Sequence, residues 1–354
     1  MGKTSRIMRI FIAVITLAVA ATIGIADVST GYLPEITIFV LVPVIAGTYY
    51  LGFRYGLFVA MVAAVSELVA HLRLEAGAQH AEVIANTASH TFVYVLIAAL
   101  IARLVTQLRT ITSLEKQRSN DLEIAKRVHD SVFAQVPDSH GNLSIGSKVA
   151  FARELGGDYF YITGLNDRLF FCIADISGKS TAAALFAALL SHSVTEALEH
   201  TLDLKSLVDR VNSRMSSTLP EDMFVTLFCA FINEDELAYV NAGHPPPLLY
   251  SKQEGSIKTL RSSNALPIGI KPDLQIEAST EPFRASDVLL ATTDGITESS
   301  AFKERPYEKL TDMLYENAAA EAQDIANIIF TKAVPGNLET PLDDVIVVSI
   351  KRQP

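Results

Sequence analysis

Four carboxylate positions in the C-terminal two-thirds of the chain share one local context. Asp158 lies in Leu-Gly-Gly-Asp-Tyr-Phe, Asp175 in Cys-Ile-Ala-Asp-Ile-Ser-Gly-Lys and Asp294 in Leu-Leu-Ala-Thr-Thr-Asp-Gly-Ile. The pair Asp343-Asp344 precedes Val-Ile-Val-Val-Ser-Ile. Each time an apolar, strand-like run adjoins an Asp, with glycine or another small residue close by. Glycine permits sharp turns and close approach. Carboxylates are hard oxygen ligands of the kind that hold Mg2+ or Mn2+. A single Asp-Gly is usually a turn. Four such positions at strand ends of one domain point to a cation-binding acidic cluster.

The elements that must position them follow from hydrophobic period. Residues 145–152, 159–165 and 168–175 read as strands, and 181–200 and 204–218 as helices with apolar faces. Residues 224–233, 236–242, 247–250, 287–292 and 345–351 read as strands again, with a helical pattern over 307–333. Cys172 and Cys229 sit in apolar runs without zinc or disulfide spacing, and read as buried small hydrophobes. His71, His129, His192 and His200 have no metal-ligand spacing and read as ordinary helix or surface residues.

The first hundred or so residues differ in kind. The chain is 49% hydrophobic, and the apolar residues concentrate there. Residues 1–109 carry a net charge of +2 and the remainder −12. A domain that acidic repels phosphate backbones, which argues against nucleic-acid binding. Residues 10–26, 36–53, 55–70 and 83–102 are apolar stretches near the roughly 20 residues that a membrane helix needs. Four crossings place Lys3, Arg6, Arg9, Arg54, Arg103 and Arg109 on one side, the cytoplasmic one by the positive-inside rule. Glu67 and His90 are the deepest polar residues of this bundle, each near the outer end of its helix. Residues 104–136 contain no Gly or Pro and read as one helix stopping at Pro137. Its imperfect apolar stripe, including Leu108, Ile111 and Leu114, suits packing on a partner helix or on its own catalytic domain.

As an ordered set, GGDYF, IADISGKSTAAALFAALL, FVTLFCAF, LAYVNAGHPPPLL, LPIGI, LLATTDGITES and DDVIVVSI resemble the PPM-type phosphatases. The branch they resemble is the bacterial SpoIIE/RsbU type, and LEIAKRVHDSVFAQVP resembles the helix before its catalytic domain. The resemblance covers about residues 120–352. It implies an α+β fold, a two-layer antiparallel β-sandwich flanked by α-helices; the apolar stretches before it read as an all-α transmembrane bundle of four helices. The implied organisation is a transmembrane module over 1–106, a signalling helix over 107–137 and a phosphatase domain over 138–354.

The resemblance further implies two Mn2+ or Mg2+ ions, with Asp158, Asp175, Asp294, Asp343 and the backbone carbonyl of Ile176 as ligands. Gly157, Asn241, His244 and Asp344 are secondary members of the site. Asp344 is the lesser of its pair because the family pattern places the ligand first, and His244 and Asn241 either act directly or hold their turn. Two positions depart from the pattern: Tyr161 stands where many relatives have Asp, and Ser180 where many have Gly.

The activity implied is hydrolysis of phosphoserine or phosphothreonine by metal-activated water, with no phospho-enzyme needed. The implied substrate is a regulatory protein, an anti-sigma-factor antagonist of the STAS type. The implied setting is a multi-pass protein of the cytoplasmic membrane, in contact with the lipid bilayer, its catalytic domain in the cytoplasm and its linker helix able to form a homodimer. The rival reading is a catalytically silent membrane receptor whose phosphatase-like domain binds a partner. GGDYF also invites comparison with the GGDEF motif of diguanylate cyclases, but Tyr159 stands where those enzymes carry Glu and their other motifs are missing.

Overall fold

The run Leu169–Ala174 is apolar at every position, so a strand built from it must be covered on both faces. The computed structural model supplies that cover. It describes residues 6–29, 38–74, 80–132, 136–178, 181–261, 266–334 and 341–354. The chain divides into two compact units, Met1–Asn120 and Asp121–Pro354.

The second unit contains two antiparallel sheets. The first holds β1 (Ser139–His140), β2 (Leu143–Ala150), β7 (Leu248–Ser251), β8 (Ser256–Thr259), β10 (Val288–Thr292) and β11 (Val345–Arg352), in the order β1-β2-β11-β10-β7-β8. The second holds β3 (Tyr159–Leu165), β4 (Arg168–Ile176), β5 (Val225–Ile232), β6 (Glu236–Ala242) and β9 (Ser279–Pro282), in the order β3-β4-β5-β6-β9. Hairpin β3–β4 turns at Asn166, whose φ of 54° is the left-handed conformation that a two-residue turn between right-twisted strands requires.

Alternation of side chains along each strand builds three cores. Phe171, Ile173, Phe228, Leu289, Ile346 and Val348 fill the space between the sheets. On the far side of the second sheet, Phe170, Cys172, Ala174 and Cys229 meet α5 (Thr181–His200) and α6 (Leu204–Ser216) through Ala187, Leu190 and Val208. On the far side of the first, Leu290 and Val347 meet α7 (Pro306–Asn317) and α8 (Ala322–Ala333) through Leu314 and Ile325. The result is a helix–sheet–sheet–helix sandwich. Both cysteines are buried and free, and face each other across β4 and β5.

Three differences from the sequence reading have physical causes. The helical pattern over 307–333 is two helices, α7 and α8. In the connection between them the carbonyls of Ala319 and Ala320 turn to the Lys351 ammonium, which donates to them at 3.0 and 2.7 Å. Strands β8 and β9 form sheet edges and, unlike the equally short β7, hold no buried residue, so they lack an apolar run to mark them. The stretch 36–53 is realised over its described part as a 3-10 turn, Ile38–Val40, and an 11-residue helix, α2 (Leu41–Leu51). Pro43 in its first turn lacks the N–H that later turns need, so it fits only there.

The first unit also contains α1 (Arg6–Ser29) and α3 (Phe53–Leu74), and α4 (His80–Val132) starts in it. Ala20, Val44, Val59, Ala60, Ala63, Tyr94 and Ala98 form its small core. Many large outward side chains are apolar, Phe11, Phe58 and Phe92 among them. Glu67 is buried and pairs with His90 Nδ1 at 2.8 Å. Three helices among the described residues are long and apolar enough to cross a membrane: Arg6–Ile23, a stretch within Ile84–Arg127, and Thr181–His200. The last is α5, whose apolar side is packed on the second sheet. The fourth apolar stretch and the expected linker helix are one uninterrupted helix, α4.

Candidate active site

Asp158 immediately precedes β3 and Asp175 is the penultimate residue of β4; the register Tyr159↔Ala174 sets the two opposite each other. Asp294 follows β10, and Asp343 and Asp344 precede β11, its hydrogen-bonded neighbour. Thr293 joins the two groups. Its hydroxyl accepts from the Ile346 N–H at 3.0 Å and favours the ionised form of Asp158. Thus the two sheets bring five of the expected residues to one end of the sandwich.

Burial pushes the Asp158 carboxyl well above the usual carboxylate range, with repulsion from Asp175, Asp344 and Asp294 adding and the Thr293 hydroxyl opposing. Burial also raises Asp175, where Asp343, Asp344 and Glu298 add and a hydrogen bond with Asp158 opposes. Like charges gathered in a buried place disfavour ionisation unless a cation offsets them. Asp158 Oδ2 is buried with no hydrogen-bond partner. Among the described residues no three His, Cys, Asp or Glu side chains are already gathered round one point. The carboxylates are neighbours, not a closed cage.

The members of the Asp343-Asp344 pair differ. The Asp344 carboxylate accepts from the backbone N–H groups of Ala152 at 2.8 Å and Gly157 at 2.7 Å, so it ties down the loop before Asp158. Asp343 Oδ1 accepts from the Asp344 N–H at 2.9 Å. The glycines beside the carboxylates have a packing reason. A Cβ on Gly295 would lie 2.0 Å from the Asp344 carbonyl oxygen, and one on Gly156 would lie 2.0 Å from Phe151. A Cβ on Gly157 would press on the Ile176 carbonyl at 3.2 Å.

His244 is buried, and burial holds its imidazole down at about 3, with the Thr292 backbone opposing. Its Nδ1 lies 2.9 Å from the Thr226 hydroxyl, and the His244 backbone N–H donates to Asn241 Oδ1 at 2.8 Å. Asn241 in turn donates to the Leu260 carbonyl. A neutral, enclosed imidazole with these partners holds its turn. Tyr161 packs beside Phe170, ring centroids 6.4 Å apart, on the helix-covered face. Ser180 lies outside the described residues.

Three residues near the carboxylates were missed in the sequence. Thr293 is invisible without the sheet pairing. Glu298 stands four residues after Asp294, one helical turn on, a spacing that could have marked it. His129, read as an ordinary residue, is buried and lies 3.1 Å from the Gly156 carbonyl oxygen through Nε2. Its burial depends on a loop 27 residues downstream.

The fold is that of the PP2C class of phosphatase domains. The SiaA-PP2C domain of Pseudomonas aeruginosa superposes with a TM-score of 0.58 at 17% identity, over 67% of this chain and 98% of that one. The PP2C phosphatase domain of SpoIIE from Bacillus subtilis, with a fragment of its regulatory domain, superposes at 0.53 and 22% identity, over 60% and 62% of the two chains. The family described as Stage II sporulation protein E (SpoIIE) matches residues 166–353, and the chain belongs to it. The phosphoserine phosphatase RsbU of Bacillus subtilis is 24% identical over 63% of this chain and 67% of its own. The phosphoserine phosphatase RsbP of the same organism is 25% identical over 54% and 51%. The chain thus spans about two thirds of one curated relative and half of the other.

Proposed function

We propose that this protein is a membrane-anchored, metal-dependent phosphatase that hydrolyses phosphoserine or phosphothreonine on a regulatory protein. The observation that carries this is the partly buried cluster of carboxylates, with Asp158 at its buried end, at one end of a PP2C sandwich. Asp158, Asp175, Asp294 and Asp343 supply hard oxygen donors, and the Ile176 carbonyl beside Gly157 adds a neutral one. This donor set, with a partnerless buried oxygen on Asp158, fits two Mn2+ or Mg2+ ions. When bound, such ions acidify water and offset charge on phosphoryl oxygens.

The chain's own residues then have distinct tasks. Asp344 fixes the Gly-Gly-Asp loop through two backbone donors. Thr293 ties Asp158 to the β10–β11 pair. His244, kept neutral near pH 7 by its burial, holds the turn after β6. The rival, silent-receptor reading has no observation in its favour.

The two relatives named phosphoserine phosphatases support phosphoserine as the bond cleaved; the finer reading, a small anti-sigma-factor antagonist of the STAS type, rests on the motif resemblance. The setting is the cytoplasmic membrane, crossed several times, with the catalytic unit in the cytoplasm. Support comes from the apolar helices of the first unit and the basic residues on one side of the expected spans. Leu108, Ile111 and Leu114 are more than half exposed on α4, which suits a second copy of that helix.

The test is a pull-down of the full chain carrying Asp175→Asn from solubilised membranes, followed by phosphosite mapping of the bound protein. A phosphoserine or phosphothreonine that the parent protein removes with Mn2+ is expected. A bound partner whose phosphosites do not change would end the substrate reading.

A further inference from the structure

The peptide group that joins Gly156 to Gly157, one residue before Asp158, is gripped at both ends. Its N–H donates to Asp344 Oδ2 at 2.7 Å. Its carbonyl oxygen lies 3.1 Å from Nε2 of His129. A carbonyl only accepts, so Nε2 carries the proton and donates. His129 belongs to the last turn of α4, is 4% exposed, and stands edge-on to Phe151 with centroids 5.1 Å apart. Phe151 in turn fills the space beside Gly156, where a Cβ would meet it at 2.0 Å. The loop therefore has little room to move without losing one of its two holds.

We propose that His129 is a positioning residue that sets the plane of the 156–157 peptide from the end of α4. Cation binding at Asp158 then depends on where that last turn stands. This rests on Asp158 being a cation ligand. The helix that carries His129 is continuous from His80 and includes the apolar stretch 83–102. A hydrogen bond of 3.1 Å is lost when its donor moves by about 1 Å. Rotation of the α4 end would release the carbonyl while Asp344 keeps the N–H, tilting the peptide and turning Asp158 away from its neighbours. His129 thereby converts a helix movement into a change of metal affinity.

The experiment is calorimetric titration of Mn2+ into the full chain in detergent micelles, together with hydrogen exchange of the Gly157 amide. His129→Phe keeps a ring against Phe151 but cannot donate; His129→Gln can donate. We expect Mn2+ affinity to fall about tenfold in the Phe variant and to stay within about threefold of the parent in the Gln variant. Gly157 exchange should quicken in the Phe variant alone. Asp158→Asn should lose most Mn2+ binding whatever stands at 129.

Parent-like affinity in the Phe variant, or equal weakening in both, would overturn the inference while leaving the metal site intact. Unchanged binding in Asp158→Asn would overturn both. If the Phe variant fails to fold, the Gln variant decides: parent-like affinity and a protected Gly157 amide support the role, and any other result refutes it.

Discussion

Replacing Asp344 by Asn should destabilise the catalytic unit, whereas replacing Asp343 by Asn should not. The two side chains are adjacent and chemically identical, so the contrast isolates their surroundings. The Asp344 carboxylate accepts two backbone hydrogen bonds, at 2.8 and 2.7 Å. An amide of the same shape offers one acceptor oxygen and turns an NH2 group towards the other N–H. One charge-assisted hydrogen bond is lost and one backbone donor in a tight loop is left unpaired, a cost of roughly 3 kcal/mol. For a unit of this size that lowers Tm by about 6–12 °C. Asp343 instead adds to the repulsion that raises Asp175, so its neutralisation relieves a like-charge contact. The metal-free Asp343→Asn protein should melt within about 2 °C of the parent, a shift below 1 kcal/mol. Its rise in Tm with Mn2+, present in the parent, should be mostly lost. Thermal unfolding of the full chain in detergent, with and without Mn2+, reads both effects. Equal melting of the two metal-free variants, or full Mn2+ stabilisation of Asp343→Asn, would refute the division of roles.

Two further outcomes are expected. His244 has its folded-state value lowered from 6.5 to about 3 by burial, so the unfolded chain takes up the proton first. Stability from this residue is complete above pH 6.5 and is lost as pH falls, by about 1.4 kcal/mol at pH 5.5. His244→Gln should lack that component, and parallel melting curves for variant and parent at pH 7 and 5.5 would contradict it. Inserting one to seven alanines between Lys116 and Asp121 turns the two ends of α4 by about 100° per residue. Phosphatase activity should vary periodically, recovering near four and seven, and a flat response would make α4 only a tether.

The strand-end carboxylates were legible because hydrophobic runs of β4, β10 and β11 end abruptly at Asp. The sandwich was legible from the motif order, since periodicity alone does not say which strands pair. What could not be read was which neighbours a residue meets. Asp343 and Asp344 look alike in sequence, and only the placement of Ala152 and Gly157 separates them. His129 looks like a surface residue of an amphipathic helix until the loop at Gly156 covers it. Pro43 limited α2 at its start, a local signal that the apolar run around it obscured. The carbonyls in the connection between α7 and α8 meet Lys351, some thirty residues further on, a partner that the local sequence does not show.

The most direct measurement is phosphate release from a phosphoserine protein by the full chain in detergent, run in parallel for the parent and Asp175→Asn. With Mn2+ the parent should turn over, stop on chelation and resume when Mn2+ is restored. Asp175→Asn should be slower by at least a hundredfold, about 2.7 kcal/mol of transition-state stabilisation, while melting like the metal-free parent. Undiminished release in excess chelator, or parent-like rates in Asp175→Asn, would contradict a carboxylate-held metal centre.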